Sequence, residues 1–221
     1  MTSPALAKPH AMRPTPLAAV AIAALLMALA ASAHAEPEEL TIDPGHTFPG
    51  FAVRHLGVAT QHGRFNRSSG TVTLDLEAGT GSAQIRIETA SVDTGNPELD
   101  KLLGSRFYFN PAEYPEITYK ATRMDFADRK PTMIHGELTF LGQTHPVDLK
   151  VEFFGCSRLP FIGNRCGADL TGTFKRSDFG QNAILGFVSD EVTLRIQAEA
   201  VKGQAREPGA APSGAAPTSG N

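Results

Sequence analysis

The 221-residue chain has no tryptophan, only two cysteines and no cluster of lysine and arginine. Without a basic cluster nothing tracks phosphates, which argues against nucleic-acid binding and equally against a positively charged membrane-surface face. The formal charge is −3, and loss of an N-terminal leader carrying Lys8 and Arg13 would take it to about −5. Long apolar runs are missing as well. The stretch Leu17–Ala30 is 14 residues, roughly 21 Å of helix against a hydrocarbon core of ~30 Å, so no transmembrane segment is expected once a leader is removed. There is no G-x-S-x-G elbow, P-loop or dinucleotide fingerprint, and no histidine pair spaced as H-x-H, H-x-x-x-H or H-E-x-x-H. These absences predict a protein that is not an enzyme and holds no metal, although a site gathered from separate strands stays open.

What is present divides the chain in three. Met1–Ala35 reads as a secretory signal peptide: Lys8 and Arg13 form the positive region, Leu17–Ala30 the apolar region, and Ala33-His34-Ala35 the cleavage site. That places the protein in the periplasm or outside the cell. From 203 to 221 the chain is rich in Ala, Pro, Gly and Ser, with no aromatic core residue, and is expected to be a disordered tail. Between them, residues 38–202 hold all 13 phenylalanines and form one domain.

Within this domain apolar and polar residues alternate. Val72, Leu74 and Leu76, then Ile85 and Ile87, then Val147, Leu149, Val151 and Phe153, then Val192, Leu194, Ile196 and Ala198 each occupy every second position. Turn residues separate these runs. Eight strands are predicted, near 40–54, 70–77, 82–92, 115–127, 132–141, 145–154, 167–176 and 190–201, with a short pairing at 181–188. Asn96 as cap, Pro97, and the apolar face of Leu99, Leu102 and Leu103 predict one short helix that covers rather than builds the fold. Eight antiparallel strands close most economically as a barrel, though a two-sheet sandwich reads almost the same. Inward residues either fill such a barrel or line space for one small ligand.

The residues that stand out follow from this pattern. Cys156 and Cys166, an exported pair flanking a loop between two strands, are expected to form a disulfide worth roughly 2–3 kcal/mol. His55 shares parity with Phe51 and Val53 and should point inward. Arg176 follows Leu170, Gly172 and Phe174 at period two, so its guanidinium should be buried and must be compensated. Either it pairs with Asp178 or Asp43, or it offers a donor fork to a ligand's polar head. Phe51, Phe65, Phe109, Phe140, Phe153 and Phe174 fall on or beside inward positions, where they would pack a core or line a cavity.

Several segments together resemble the YceI family. Asp43-Pro44-Gly45-His46-Thr47, followed by Phe51, Val53 and His55, is similar to its D-x-x-H-S/T … F-x-V-x-H opening, and Gly63-Arg64-Phe65 to its G-x-F. Phe107-Tyr108-Phe109-Asn110 with Tyr114-Pro115 resembles its F-F-D … Y-P segment. Gly136-Glu137-Leu138-Thr139 with Pro146-Val147 resembles its G-x-L-T … P-V hairpin, and Lys175-Arg176-Ser177-Asp178-Phe179-Gly180 its N/K-R-S-D-F-G element. The resemblance implies an all-β, lipocalin-like eight-stranded antiparallel barrel with one short helix. It also implies a secreted or periplasmic protein holding an amphiphile, typically a polyisoprenoid or isoprenoid quinone, in an apolar tunnel. No catalytic residues transfer from it. Pro49-Gly50 stands where the family usually has an apolar residue, which calls for a bulge or an edge at that point.

The expected partner is therefore a lipid-like small molecule, and the cofactor expectation is none beyond such a bound lipid. The ligand-binding candidates are Phe51, Val53, His55, Phe65, Phe109, Phe140, Phe153, Phe174 and Arg176. A filled barrel acting as an interaction module, a lipid-processing enzyme and a homodimer remain alternatives at this level.

Overall fold

The computed structural model describes residues 36–159 and 163–203. The expected leader, and the expected tail apart from Gly203, lie outside the described residues. Eleven strands run in chain order. They are β1 (Glu38–Ile42), β2 (Phe48–His55), β3 (Ala59–Phe65), β4 (Ser68–Asp75), β5 (Thr80–Glu88), β6 (Val92–Asp93), β7 (Glu116–Ala127), β8 (Lys130–Phe140), β9 (Gln143–Leu159), β10 (Gly163–Lys175) and β11 (Glu191–Val201). Helix α1 (Pro97–Leu103) lies between β6 and β7.

Eight of these strands close an antiparallel barrel in the order β1-β4-β5-β7-β8-β9-β10-β11, with β11 returning to β1 through Ile42 opposite Ala200. Closure removes the exposed edges that an open sheet would leave. The other three strands, β2-β3-β6, extend from β11, whose residues Thr193–Gln197 pair with β2. The sandwich alternative is thereby set aside.

One expected strand, 40–54, is in fact two. Pro44 has no N–H to donate, and the Asp43 carboxylate accepts the Gly45 N–H (3.0 Å) and bonds His46 Nδ1 (3.0 Å), which turns the chain. The Thr47 hydroxyl then donates to Glu199 O and accepts the Glu199 N–H, both at 3.0 Å, and covers the break in the β11 ladder. Strand β2 pairs regularly with both neighbours and has no bulge at Pro49-Gly50. Pro49 lies one residue before the pairing with β3 begins, so β2 has a free edge there. A Cβ on Gly50 would sit 2.5 Å from Arg195 O, which is the physical reason for glycine.

Strand β3 had no counterpart in the predicted set, because ATQHGRF lacks apolar alternation and residues 59–62 are exposed. The segment 181–188 contributes only isolated bridges, including His55 to Val188, rather than a strand. Helix α1 forms as expected: Asn96 Oδ1 accepts the Glu98 and Leu99 N–H groups, and Pro97 occupies the first turn. The cysteines form the disulfide but lie within the β9–β10 hairpin, facing each other in register, because both strands run further than the alternation indicated.

Candidate functional site

The barrel is hollow. A cavity of about 560 Å³ runs through it, lined almost wholly by apolar side chains from every barrel strand and from α1. Its volume lies within the range typical of small-molecule sites. The interior of the barrel is thus not filled by its own side chains.

A chain of edge-to-face and tilted aromatic contacts organises the wall. Phe51, Phe65 and Phe109 lie mutually 5.7–5.8 Å apart, Phe109 meets Phe140 at 5.7 Å, and Phe140 meets Phe174 at 6.4 Å. Phe51 reaches this position because Gly63 stands opposite it on β3; a Cβ there would lie 2.4 Å from the Phe51 ring. Phe179, fully buried against Phe140, Phe174 and His145, backs the cluster from behind. Sequence periodicity missed it, since it lies in a 3-10 turn (Arg176–Phe179) rather than a strand.

Of the residues expected to line the cavity, Phe51, Val53, His55, Phe65, Phe109, Phe140, Phe174 and Arg176 do so. Phe153 does not. It is 63 % exposed on the outer wall, and Phe154 lines the cavity instead. The cause is a register shift: Leu170 faces Val151 while Asp169 faces Phe153, so Glu152 is an extra residue and the alternation changes parity. Sequence reasoning also missed Tyr108, Gln181, Ile184 and Val188, which line the cavity from loops with no period to read.

Arg176 is buried, but no carboxylate forms an ion pair with it among the described residues. Asp43, one expected partner, is engaged by Arg165 at 3.0 Å. Backbone carbonyls compensate the guanidinium instead. Its Nε donates to Ser189 O (2.9 Å), Nη1 to Ala183 O (2.8 Å) and Gln181 O (3.2 Å), and Nη2 to Val188 O (3.0 Å). The Gln181 Oε1 also accepts from Nη1 (3.3 Å). Burial lowers the Arg176 pKa from its ordinary value, and Asp190 and Tyr108 oppose that shift. The loop 181–189 is thus wound around a cation. Nη2 carries two hydrogens and donates to one acceptor, Val188 O, among the described residues, and Arg176 is part of the cavity lining.

Thr47 and Glu199, bonded to each other at the break between β1 and β2, are polar lining residues that lie apart from the main polar group. His55, Gln61, His62, Asn96, Tyr108 and Arg176 lie around one end, formed by the β2–β3 hairpin, α1 and the 181–189 loop. Several lining residues there, including Leu102 and Ile184, are exposed, so this end is the mouth. Deeper polar groups are satisfied internally. The buried Tyr119 hydroxyl donates to Val147 O (2.8 Å), and desolvation pushes its pKa up.

One cluster among the described residues has metal-ligand proximity: Asp43, His46 and Glu199. Arg165 already occupies it, with Nη2 3.0 Å from Asp43 and Nη1 bonded to Glu199. A guanidinium supplies the positive charge there, so the donors are spent on a structural ion network and fit no metal.

These features have relatives. A YceI-like domain model matches residues 40–200, the span of the barrel. The chain belongs to the YceI-like family. Protein YceI of Escherichia coli O17:K52:H18 is 36 % identical over 180 residues, covering 81 % of this chain and 94 % of that protein. A UPF0312 protein of Photorhabdus laumondii is 35 % identical over 181 residues, with the same coverage of 81 % and 94 %. Among solved structures, Burkholderia cenocepacia BcnA superposes with a TM-score of 0.60 at 23 % identity, covering 72 % of this chain and 99 % of that one. A polyisoprenoid binding domain from Saccharophagus degradans gives 0.57 at 17 % identity, covering 76 % and 100 %. Both share the YceI-like barrel fold. No helix among the described residues is long and apolar enough to cross a membrane.

Proposed function

We propose that this YceI-like protein is an exported binding protein that holds a long-chain amphiphile, a polyisoprenoid or isoprenoid quinone, in its barrel and performs no chemistry on it. The observation that carries this reading is the cavity itself: about 560 Å³, lined mainly by apolar side chains, with a group of polar residues at its mouth. A tail of saturated and isoprenoid carbons gains about 0.8 kcal/mol per buried methylene, so one five-carbon unit supplies roughly 3–4 kcal/mol before ordering costs. A few units give useful affinity without polar contacts. The head group then rests at the mouth, where the lining residues Arg176 and His55 offer polar contacts. The named activity of the Saccharophagus domain, polyisoprenoid binding, supports the same ligand class.

Export to the periplasm or beyond is inferred from the leader at 1–35 and agrees with a disulfide-bonded hairpin. The lipid is the ligand, and no separate cofactor is assigned.

The test is native mass spectrometry of the protein purified from its own periplasm, followed by organic extraction. A stoichiometric isoprenoid or quinone is the expected result. A bare mass, with no uptake of offered quinones or prenyl alcohols, would overturn the reading. Turnover lost in His55→Ala with binding retained would favour a lipid-processing enzyme instead.

A further inference from the structure

Among the described residues, the exposed large hydrophobic side chains other than Phe153 are concentrated in one place. Val58 (80 % exposed) and Leu56 lie at the β2–β3 tip, Phe107 (64 %) follows α1, and Ile184 and Phe187 (60 %) lie on the 181–189 loop. Hydrogen bonds join these segments into one rim. The Leu56 N–H donates to Phe187 O (2.6 Å), the Ser189 N–H to Arg54 O (2.9 Å), and Gln181 Nε2 to Phe107 O (2.9 Å). The rim is continuous with the cavity, because Ile184 and Leu102 are at once exposed and part of its lining. Soluble domains seldom leave such a group of side chains in water without a use for it.

Charge is distributed to match. The segments 54–62, 96–107 and 181–189 carry three basic and two acidic residues, whereas the rest of 36–203 carries 14 basic and 20 acidic. Asp100, one of those two acids, is turned inward onto the Thr94 hydroxyl (2.6 Å). Arg106 lies over the Phe107 ring at 4.8 Å, and Arg54 and Lys101 are exposed. These segments therefore carry a small positive balance within an otherwise acidic domain, although Asp178 and Asp190 flank them, so an anionic surface meets little net repulsion there.

We propose that this rim is a docking surface for a phospholipid bilayer, laid on the membrane so that the cavity opens directly onto the acyl layer. The inference rests on the proposed lipid-binding function. A lipid that entered from water would expose its whole tail on the way, whereas a mouth seated on the bilayer lets it pass between two apolar phases. Attraction comes from the inserted Val58, Phe107 and Phe187 side chains, and the weak positive balance sets orientation. No basic cluster is required.

The test compares the purified protein with Val58→Asp/Phe187→Asp and with Phe153→Asp, which alters an exposed apolar residue of the outer wall. Three readouts are taken: flotation with vesicles of equal parts phosphatidylethanolamine and phosphatidylglycerol, uptake of a prenyl alcohol from those vesicles, and its uptake from detergent micelles. The rim variant is expected to lose flotation and vesicle uptake by about tenfold or more, as two apolar insertions are removed, yet load normally from micelles. Phe153→Asp is expected to match the parent in all three. The docking inference is overturned if the parent loads from micelles but does not float, or if the rim variant floats and takes up lipid from vesicles like the parent. A homodimer that dissociates in the rim variant, with no vesicle binding by the parent, overturns it in favour of a second copy of this chain. Failure of the parent to load from micelles at all overturns the lipid-binding reading, and docking with it.

Discussion

At Arg176 five acceptor atoms converge on one guanidinium, four of them backbone carbonyls of the mouth loop. Replacing it by methionine fills the volume but leaves those carbonyls without their donor. Hydrogen bonds to a charged group are each worth about 1.5–3 kcal/mol. Arg176→Met is therefore expected to lower unfolding free energy by at least ~3 kcal/mol in urea titration, and to loosen hydrogen-exchange protection selectively across 181–189. The outer wall offers a second case. His135 bonds Asp125 through Nε2 (2.8 Å) and Asp148 through Nδ1 (3.0 Å), and the Asp125 bond is the chief cause of its raised pKa. A group whose folded pKa is raised contributes stability fully below its unfolded value, about 6.5, and loses it as pH rises through the folded value. Asp125 is shifted down by the same bond, so its share is lost only as pH falls through a value below the ordinary carboxylate range. The melting temperature of the parent should thus exceed that of His135→Gln at mildly acid pH, with the gap closing above about pH 6.5. A gap constant through that range would contradict the assignment.

Elements succeed or fail in the sequence by whether their two faces differ. Strands β4, β5 and β11 carry clean alternation because one face meets the cavity and the other water, and they lie close to their expected positions. Strand β3 has no such contrast, since it flanks the mouth with most of its residues exposed. Strand β9 follows the pattern up to Val151 and then inserts Glu152. A bulge is a product of pairing between strands, and the alternation of one strand alone carries no sign of it. Its consequence can be measured: Phe153→Ser should change stability by less than about 0.5 kcal/mol, whereas Phe154→Ser should cost about 1–2 kcal/mol and weaken ligand retention.

For the whole molecule the cavity is the property that matters. A filled barrel and a hollow one use the same alternating residues, and composition does not separate them. Small side chains at Ala168 and Ala198, both on the cavity wall, leave space that a packed core would close. Ala168→Phe should occupy part of that space, keep or raise the melting temperature of the ligand-free protein, and reduce the lipid recovered by extraction. A variant that retained full lipid stoichiometry would place the ligand elsewhere.

The amino-acid sequence by itself determined the all-β class, the strand alternation, the cysteine pair, the helix cap and most of the aromatic lining. Each of these is a local consequence of residue type and spacing. The tertiary structure decided the break at Asp43–Thr47, the inversion that exchanged Phe153 for Phe154, the carbonyl cage around Arg176 and the survival of open space inside the barrel. All four depend on what a residue meets across the fold, and a carbonyl or a void has no side chain through which a sequence could announce it.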